Sequence, residues 1–518
     1  MRPSIAPELE HIVFQALTKK LADRYKTMEE LRDDLAALAE GHKPLKAKAR
    51  PAAIKLAVLP FANLTGDPEQ EYLSDGLTQE MITLLGRLHP QSLGVIARTP
   101  VMRYKKTDTP IDQIGRELGG EYVLERSARR EGSRVRVSAD LIQVRDQTQL
   151  WGDAFEREMA GILALQNDVA REVAKALALK LLPSEQAALA KARPVNPEAH
   201  EAYLKGSFHW MKFVTPEDLG IAEKYFDLAL EKDPAYAPAY AGRAWIWLVR
   251  NQWGWSPPAE AGPRAKAAAL RAIELDGNSA GAHEALALVR TFIDWDWDGA
   301  REPWRRTIEL NPNVATAQAA FAHFLMIMGH GEEALIHSER AVMLDPFNPL
   351  IHSFHALVLF SRRRYDEAIA AAREALRFQP DFPVATNALW FIMHEKEEME
   401  KEALEAAKAF IRDTYSAPGI EAAIDEGLAR GGYAEAMRRG AEFLTALLPE
   451  TFCLPSDIAM FYFAAGERNE ALDWLEKGLE IHDPVLPYLG YEFFDGLRPD
   501  PRFQELLRKM KLPAYPER

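Results

Sequence analysis

DPFNPLIHSFHALVLFSRRRYDEAIAAAREALRFQP, Asp345 to Pro380, holds one full period of the pattern that sets the architecture of most of this chain. An acidic or amide residue followed by proline opens and closes it, and the same kind of pair stands at Asp233-Pro234 and Asn311-Pro312. Pro312 to Pro346 is 34 residues and Pro346 to Pro380 is again 34, a fixed period that means a repeat array. Inside it Ala322, Gly329, Ala334 and Ala341 are followed one period on by Ala356, Tyr365, Ala368 and Ala375. Small residues belong where the two helices of a hairpin cross, because a larger side chain holds the backbones apart. Proline after the second helix lacks an N–H and disfavours helical geometry in the residue before it, so each second helix stops on schedule.

These positions resemble those of tetratricopeptide repeats, helix-turn-helix units that stack into a superhelix. Units are expected at 203–236, 237–279, 281–314, 315–348, 349–382, 383–414, 418–450 and 452–485, the last three looser than the rest. Pro234 to Gly277 is 43 residues, so about nine are inserted near Asn251 to Gly262, where Trp253-Gly254-Trp255-Ser256-Pro257-Pro258 reads as a longer loop. Residues 183–202 read as a linker helix ahead of the repeats. Phe503, Leu506, Leu507 and Met510 at helical spacing read as an amphipathic cap within 499–518.

At 518 residues, 47% hydrophobic and 27% charged, the chain has the composition of a globular protein of several domains. It has no apolar run of about 18 residues, its N-terminus lacks the zones of a signal peptide, and Cys453 is its single cysteine. Together these read as a cytoplasmic protein with no disulfide framework. A net charge of −14 argues against broad binding of nucleic acid, which needs clustered Lys and Arg. One basic stretch, His42, Lys43, Lys46, Lys48, Arg50 and Lys55, lies in 41–55. It reads as a solvated linker over 41–53, with contact to nucleic acid or an anionic membrane as the alternative. Asn63-Leu64-Thr65 matches a glycosylation sequon that has no meaning without export.

The first forty residues carry an apolar helical face at Leu9, Ile12, Val13, Ala16 and Leu17, then Asp23-Arg24-Tyr25 and a second helix with Thr27 and Glu30 as a capping box. Over about residues 3–40 this resembles the end of a bacterial serine/threonine protein kinase catalytic domain. In that family the arginine matching Arg24 pairs with a glutamate whose segment is missing here. The Gly-rich loop, the lysine that follows it, the catalytic loop and the metal-binding motif are missing too, so the parts for phosphoryl transfer are absent. Phe494-Asp495-Gly496 has the letters of that last motif in the wrong order and place. The chain therefore reads as the tail of a larger kinase, with its first forty residues the least firmly held.

From Ile54 the pattern changes. Strands are expected at Ile54–Pro60, Ser92–Ala97, Tyr122–Arg129, Arg134–Gln143 and Gln149–Glu156, with a hairpin turn at Glu131-Gly132. Helices are expected at Ser74–Leu88, Ile111–Leu118 and Ile162–Leu181. Leu56-Ala57-Val58-Leu59-Pro60-Phe61-Ala62-Asn63-Leu64, Leu73-Ser74-Asp75-Gly76-Leu77-Thr78, Val95-Ile96-Ala97-Arg98-Thr99 and Gly115-Arg116-Glu117-Leu118-Gly119 resemble the small α/β domain of TolB-like proteins over 54–182. That domain is shared with FlgO-like and adenylate-cyclase-associated regulators. The resemblance implies a protein-associating module beside an effector and ahead of tetratricopeptide repeats, with no chemistry assigned to it. Asp67, Glu69, Glu71 and Asp75 are close enough in sequence to hold calcium, but the order of a calcium loop is missing and Ser74 fits as the cap of the next helix.

Motifs for catalysis fail one by one. His283-Glu284-Ala285-Leu286-Ala287 lacks the second histidine of a zinc protease helix. His323, His330 and His337 are separated by a helix break at Gly329-His330-Gly331. His352 and His355 share a face, and His355 reads as a core histidine rather than a metal ligand. Cys453 has no histidine partner, and Trp295-Asp296-Trp297-Asp298 reads as packing and helix capping. No catalytic residue, cofactor or metal is expected.

The fold class expected is α+β, a small α/β domain followed by an α-helical superhelix. In such a superhelix the first helix of each unit lines the concave side. Trp245, Val289, Phe292, Ala319, His323, Ser353, Leu357, Phe360, Asn387, Phe391 and His394 are the candidate groove, apolar and nearly free of lysine. Such a lining suits a hydrophobic peptide or helix of a protein partner, unless the superhelix packs on itself or on the α/β domain. Three functions follow: a non-catalytic regulatory tail of a signalling kinase, a fragment of an active kinase whose catalytic lobes lie upstream, or a tail joined to a cyclase or transcription regulator.

Overall fold

The computed structural model describes residues 54–88, 92–179, 181, 186, 189–190, 195–211, 215–396, 399–415 and 419–513. The kinase-like stretch and the basic linker lie outside the described residues. The chain opens with β1 (Ile54–Val58), where Leu56, Ala57 and Val58 are wholly buried. β1 has strands on both sides: β3 (Leu93–Val95) and β4 (Tyr122–Glu131), both parallel to it. β5 (Arg134–Gln143) and β6 (Thr148–Glu158) extend the sheet antiparallel, and the short β2 (Ala62–Asn63) pairs with β4, giving the order β3-β1-β4-β5-β6. Alternation in β5 is as the sequence reads: Val135, Val137, Ala139 and Leu141 are buried, Arg134 and Arg136 exposed. Helices α1 (Glu71–Arg87) and α4 (Ile162–Ala176) contribute to the domain's apolar core. Short helices α2 (Arg98–Met102) and α3 (Ile111–Leu118) complete the domain.

Helix boundaries differ from expectation in places, and α4 ends at Ala176 where the pattern runs on to Leu181. α1 starts at Glu71, so Ser74 is a buried residue of its first turn and not its cap; Ser74 O accepts from Thr78 Oγ1 at 2.7 Å. Asp67 instead caps the 3-10 turn Pro68–Gln70 by accepting from Glu69 N. The first repeat starts at Pro197, because Asn196 accepts from Glu198 N and Ala199 N and proline at the first helical position suits a helix start.

The array runs in helical hairpins: α5 (Pro197–Trp210) with α6 (Pro216–Lys232), α7 (Ala237–Gln252) with α8 (Pro258–Leu275), α9 (Ala280–Phe292) with α10 (Trp297–Leu310). Next come α11 (Ala315–Ile327) with α12 (Gly331–Leu344), α13 (Pro349–Phe360) with α14 (Tyr365–Phe378), and α15 (Pro383–His394) with α16 (Glu400–Tyr415). α17 (Ile420–Leu447) is two helices broken by non-helical backbone at Gly431 and Gly432, and α18 (Pro455–Ala464) pairs with α19 (Arg468–Ile481). Ala322, Ala334, Ala356 and Ala368 are wholly buried, as helix crossings require. Asp276, Asn311, Asp345 and Gln379 each end a second helix by donating their N–H to the carbonyl four residues back.

Asn311, Asn313 and Asp345, in the turns that set the 34-residue period, also hold the α/β domain. Asn313 Nδ2 donates to Gly86 O (2.9 Å) and Leu93 O (3.2 Å), and Asn311 Nδ2 donates to Thr83 O (3.1 Å). Ala97 N donates to Leu344 O, and Arg103 lies over the Phe347 ring. Arg98 lies 3.6 Å from Asp75 and also feels the buried Asp345, whose carboxyl is pushed up to about 6 by burial. At the other end of the domain Tyr72 and Arg130 converge on Glu201 of α5, and Leu204 fills the space that Gly76 leaves open.

Candidate functional site

The superhelix is closed rather than open. Its inserted loop, Trp253 to Pro257, is shorter than the sequence suggests because the remaining extra residues extend α8. The loop reaches across the concave side: Trp253 meets Phe382 edge-on at 6.1 Å, and Trp255 Nε1 donates to Thr414 O at 3.4 Å. Gly254, at φ +67°, is so close to Tyr415 and Leu454 that a side chain there would press on both.

The channel left by this closure is filled by the chain's own C-terminal segment. Two 3-10 turns, Leu486–Gly490 and Glu492–Leu497, cross the concave face before α20 (Pro501–Lys509) caps the end. The cap helix is where the sequence places it, with Phe503, Leu506, Leu507 and Met510 buried.

Of the candidate groove residues, Phe292, His323, Phe360, Phe391 and His394 meet that segment. Tyr488 packs on Phe292 at 5.9 Å and on His323 at 5.7 Å. Tyr491 packs on Phe360, and Phe493 packs on Phe391 at 4.5 Å and on His394 at 5.1 Å. Val289, Phe292, Ala319, His323, Ser353, Leu357, Phe360 and Phe391 are buried, while Trp245, Asn387 and His394 are half-buried. Trp245 pairs with Trp210 at 5.8 Å, and Ser353 Oγ donates to Pro349 O of its own helix. Val289, Phe292, Leu357, Phe360 and Phe391 are thus part of a continuous core that the chain completes itself, with Trp245 packed against it. Burial pushes His323 down to about 3 and His394 down to about 4, so both are neutral near pH 7.

The segment is held by residues that the repeat pattern itself singles out. Trp295, Gly329 and Arg363 are 34 residues apart and all take the left-handed backbone, with φ of 50°, 76° and 58°. Glycine is the ordinary occupant there; tryptophan and arginine are strained. Trp295 stacks on His482 at 4.3 Å, and Arg363 makes an ion pair with Glu492, a buried residue whose carboxylate also accepts from Tyr365 O–H at 2.9 Å. The two non-glycines stand where the C-terminal segment docks. Trp297 adds a third tie by donating its indole N–H to Met510 O at 2.7 Å, while Asp296 caps α10.

The segment is rooted at Asp483, which accepts from Ser456 N (2.9 Å), Ser456 Oγ (3.0 Å) and Val485 N (2.9 Å). Asp457, beside Ser456 in the first turn of α18, accepts from Tyr415 O–H, and Tyr415 Oη accepts in turn from Leu454 N at 3.0 Å. Burial, with repulsion from Asp483, pushes Asp457 up to about 7. Burial pushes the Cys453 thiol up to about 12, which leaves it a poor nucleophile.

Among the described residues no group of His, Cys, Asp and Glu could hold a metal, and no helix is long and apolar enough to cross a membrane. In the loop examined for calcium, Glu71 and Asp75 are engaged by Lys105, Lys106 and Arg98.

Residues 52–172 match the family described as HilA/YgeH-like transcriptional regulator, second domain. Over 245 residues the chain is 35% identical to a putative adenylate cyclase 3 of Rhizobium meliloti (strain 1021), covering 47% of this chain and 41% of that protein. Over 329 residues it is 23% identical to the transcriptional regulator HilA of Salmonella paratyphi A, covering 63% of this chain and 57% of that one. The chain therefore spans about half the length of these curated relatives. Solved structures are also similar. YrrB (23% identity, TM-score 0.26) covers 37% of this chain and 90% of its own, and Pseudomonas aeruginosa pilF (18%, TM-score 0.30) covers 54% and 98%. At those scores they add nothing to the fold described above. The curated relatives are a cyclase and transcriptional regulators rather than kinases, so the kinase reading of residues 3–40 draws no support from them.

Proposed function

We propose that this chain is a non-catalytic regulatory and protein-interaction module of a bacterial signalling protein, acting in the cytoplasm beside a cyclase or transcription-regulator effector. The observation that carries this reading is the shared use of Asn311, Asn313 and Asp345, which end and turn the repeats and also bind the α/β domain. Domain and array then transmit a displacement as one body, which is what an effector-linked module requires. The match of residues 52–172 and the similarity to a putative cyclase support that class of effector. A protein partner meets the outer faces of this body, and reaches the concave aromatic residues only in exchange for residues 486–497.

Affinity capture with the full chain, with nucleotide turnover measured on the same preparation, tests the proposal. A cyclase or regulator among the captured proteins, with no turnover, is expected. Turnover of nucleotide by the purified chain, or capture of nucleic acid and no protein, overturns it.

A further inference from the structure

We propose that closure of the superhelix is proton-linked through the buried carboxyl pair Asp457 and Asp483, which ties the inserted loop, the start of α18 and the root of the C-terminal segment into one node.

The geometry brings three distant parts of the chain to this point. Tyr415 closes α16, carries Gly254 of the inserted loop against its ring, and hydrogen-bonds both Asp457 and Leu454 N. Asp483, the first residue after α19 and its left-handed cap His482, holds the N-terminus of α18 and sends the chain into the channel. Asp457 is 2% exposed and Asp483 wholly buried.

Among the described residues no cation is paired with either aspartate. The groups acting on Asp457 are Tyr415, Asp483 and the Cys453 thiol, all neutral or acidic. Asp483 is held by two backbone N–H groups and the Ser456 hydroxyl. His482, next to Asp483, is stacked on Trp295. Among the described residues no salt bridge reaches either aspartate. Burial raises Asp483 as well, while its three donors oppose that and favour its ionised form, whereas Asp457 keeps one strong donor and a carboxylate neighbour. The pair holds one negative charge readily and a second one badly, as two carboxylates sharing a site do.

The sign follows from linkage. Asp457 binds its proton more tightly in the closed state, at about 7, than an exposed aspartate near 4 does. Closure is therefore strongest below that ordinary value and is lost progressively as pH rises toward and past 7. Opening that returns Asp457 to an ordinary value makes the open state about 10- to 100-fold more populated at pH 8 than at pH 5.

Hydrogen exchange of the full chain at pH 5 and pH 8, corrected for the intrinsic pH dependence of exchange, reads this directly. The opening of amides in 254–256 and 485–497 is expected to rise by about one to two orders of magnitude at pH 8, while β4 and β5 amides, remote from the node, stay within about twofold. Asp457→Asn, which keeps an acceptor for Tyr415 and cannot ionise, is expected to hold both segments closed at both pH values. Equal protection of these segments in the native chain at the two pH values overturns the proposal, as does an undiminished response in Asp457→Asn. Where the variant fails to fold, the native comparison against β4 and β5 decides alone.

Discussion

Replacing Arg363 with glycine sets two opposed effects against each other at one position. The backbone there is left-handed, φ 58°, and an L-residue with a side chain is held in that region at a cost of about 1 kcal/mol that glycine avoids. On backbone grounds alone Arg363→Gly stabilises the protein by that amount. Against this stands the ion pair with Glu492. The arginine side chain is 53% exposed and the carboxylate 2%, so the pair is not worth the full value of a buried bridge. What counts is the buried carboxylate left behind without its guanidinium, at about 2–4 kcal/mol. Tyr365 O–H still donates to Glu492, which favours the lower half of that range. The net expectation is a loss of about 1–2 kcal/mol, read as a fall in the urea midpoint with the slope unchanged. It should be accompanied by faster exchange in 490–497. The converse exchange 34 residues earlier, Gly329→Arg, puts a side chain at φ 76° where a Cβ meets only open space, and loses about 1–2 kcal/mol to strain. An Arg363→Gly protein as stable as the parent, or more so, refutes the claim that this residue anchors the C-terminal segment.

Asn313→Ala removes two hydrogen bonds that reach Gly86 O and Leu93 O. It is expected to cost about 2–3 kcal/mol and to speed exchange at 83–97 while leaving β4 and β5 unchanged. Phe360→Ala with Phe391→Ala, both buried, is expected to lower stability by about 3–5 kcal/mol per site; loss of a captured protein partner without loss of stability would place these rings in an open groove instead. Glu284, 7% exposed, is pushed up to about 8 by burial. Its folded-state penalty is absent below its ordinary range and complete above pH 8, so Glu284→Gln should stabilise the protein by a few kcal/mol at pH 8.5, order of magnitude, and by almost nothing at pH 4. A midpoint shift independent of pH would contradict that.

The array was legible because its signal is local and repeated. Proline stops a helix by its own covalent structure, wherever it stands, and Ala322 with Ala334 or Ala356 with Ala368 reports a helix crossing from within one hairpin. The sheet was legible for the same reason in β5, where one buried face and one exposed face alternate along ten residues. Closure is a different kind of fact. A concave face of Phe292, Phe360 and Phe391 has the same composition whether a guest or the chain's own Tyr488, Tyr491 and Phe493 lies on it, because apolar contact is non-directional. Sequence separation hides the pairing: Tyr488 is 165 residues from His323, and Trp297 is 213 from Met510.

A signal of closure was nevertheless present in the register. With the period known, Trp295, Gly329 and Arg363 fall in one column, and in these three consecutive units that column holds a left-handed residue. A tryptophan and an arginine where glycine is the low-energy choice mean that something outside the unit repays the strain. Glu492 and His482 are what repay it. The same logic applies to Asn313, whose side-chain N–H groups leave the repeat to satisfy carbonyls of another domain. In a repeat array, residues that obey the period build the stack. Those that break its local conformational preference mark where the stack touches something else, and here all three kinds of breaking residue point to contacts within the chain.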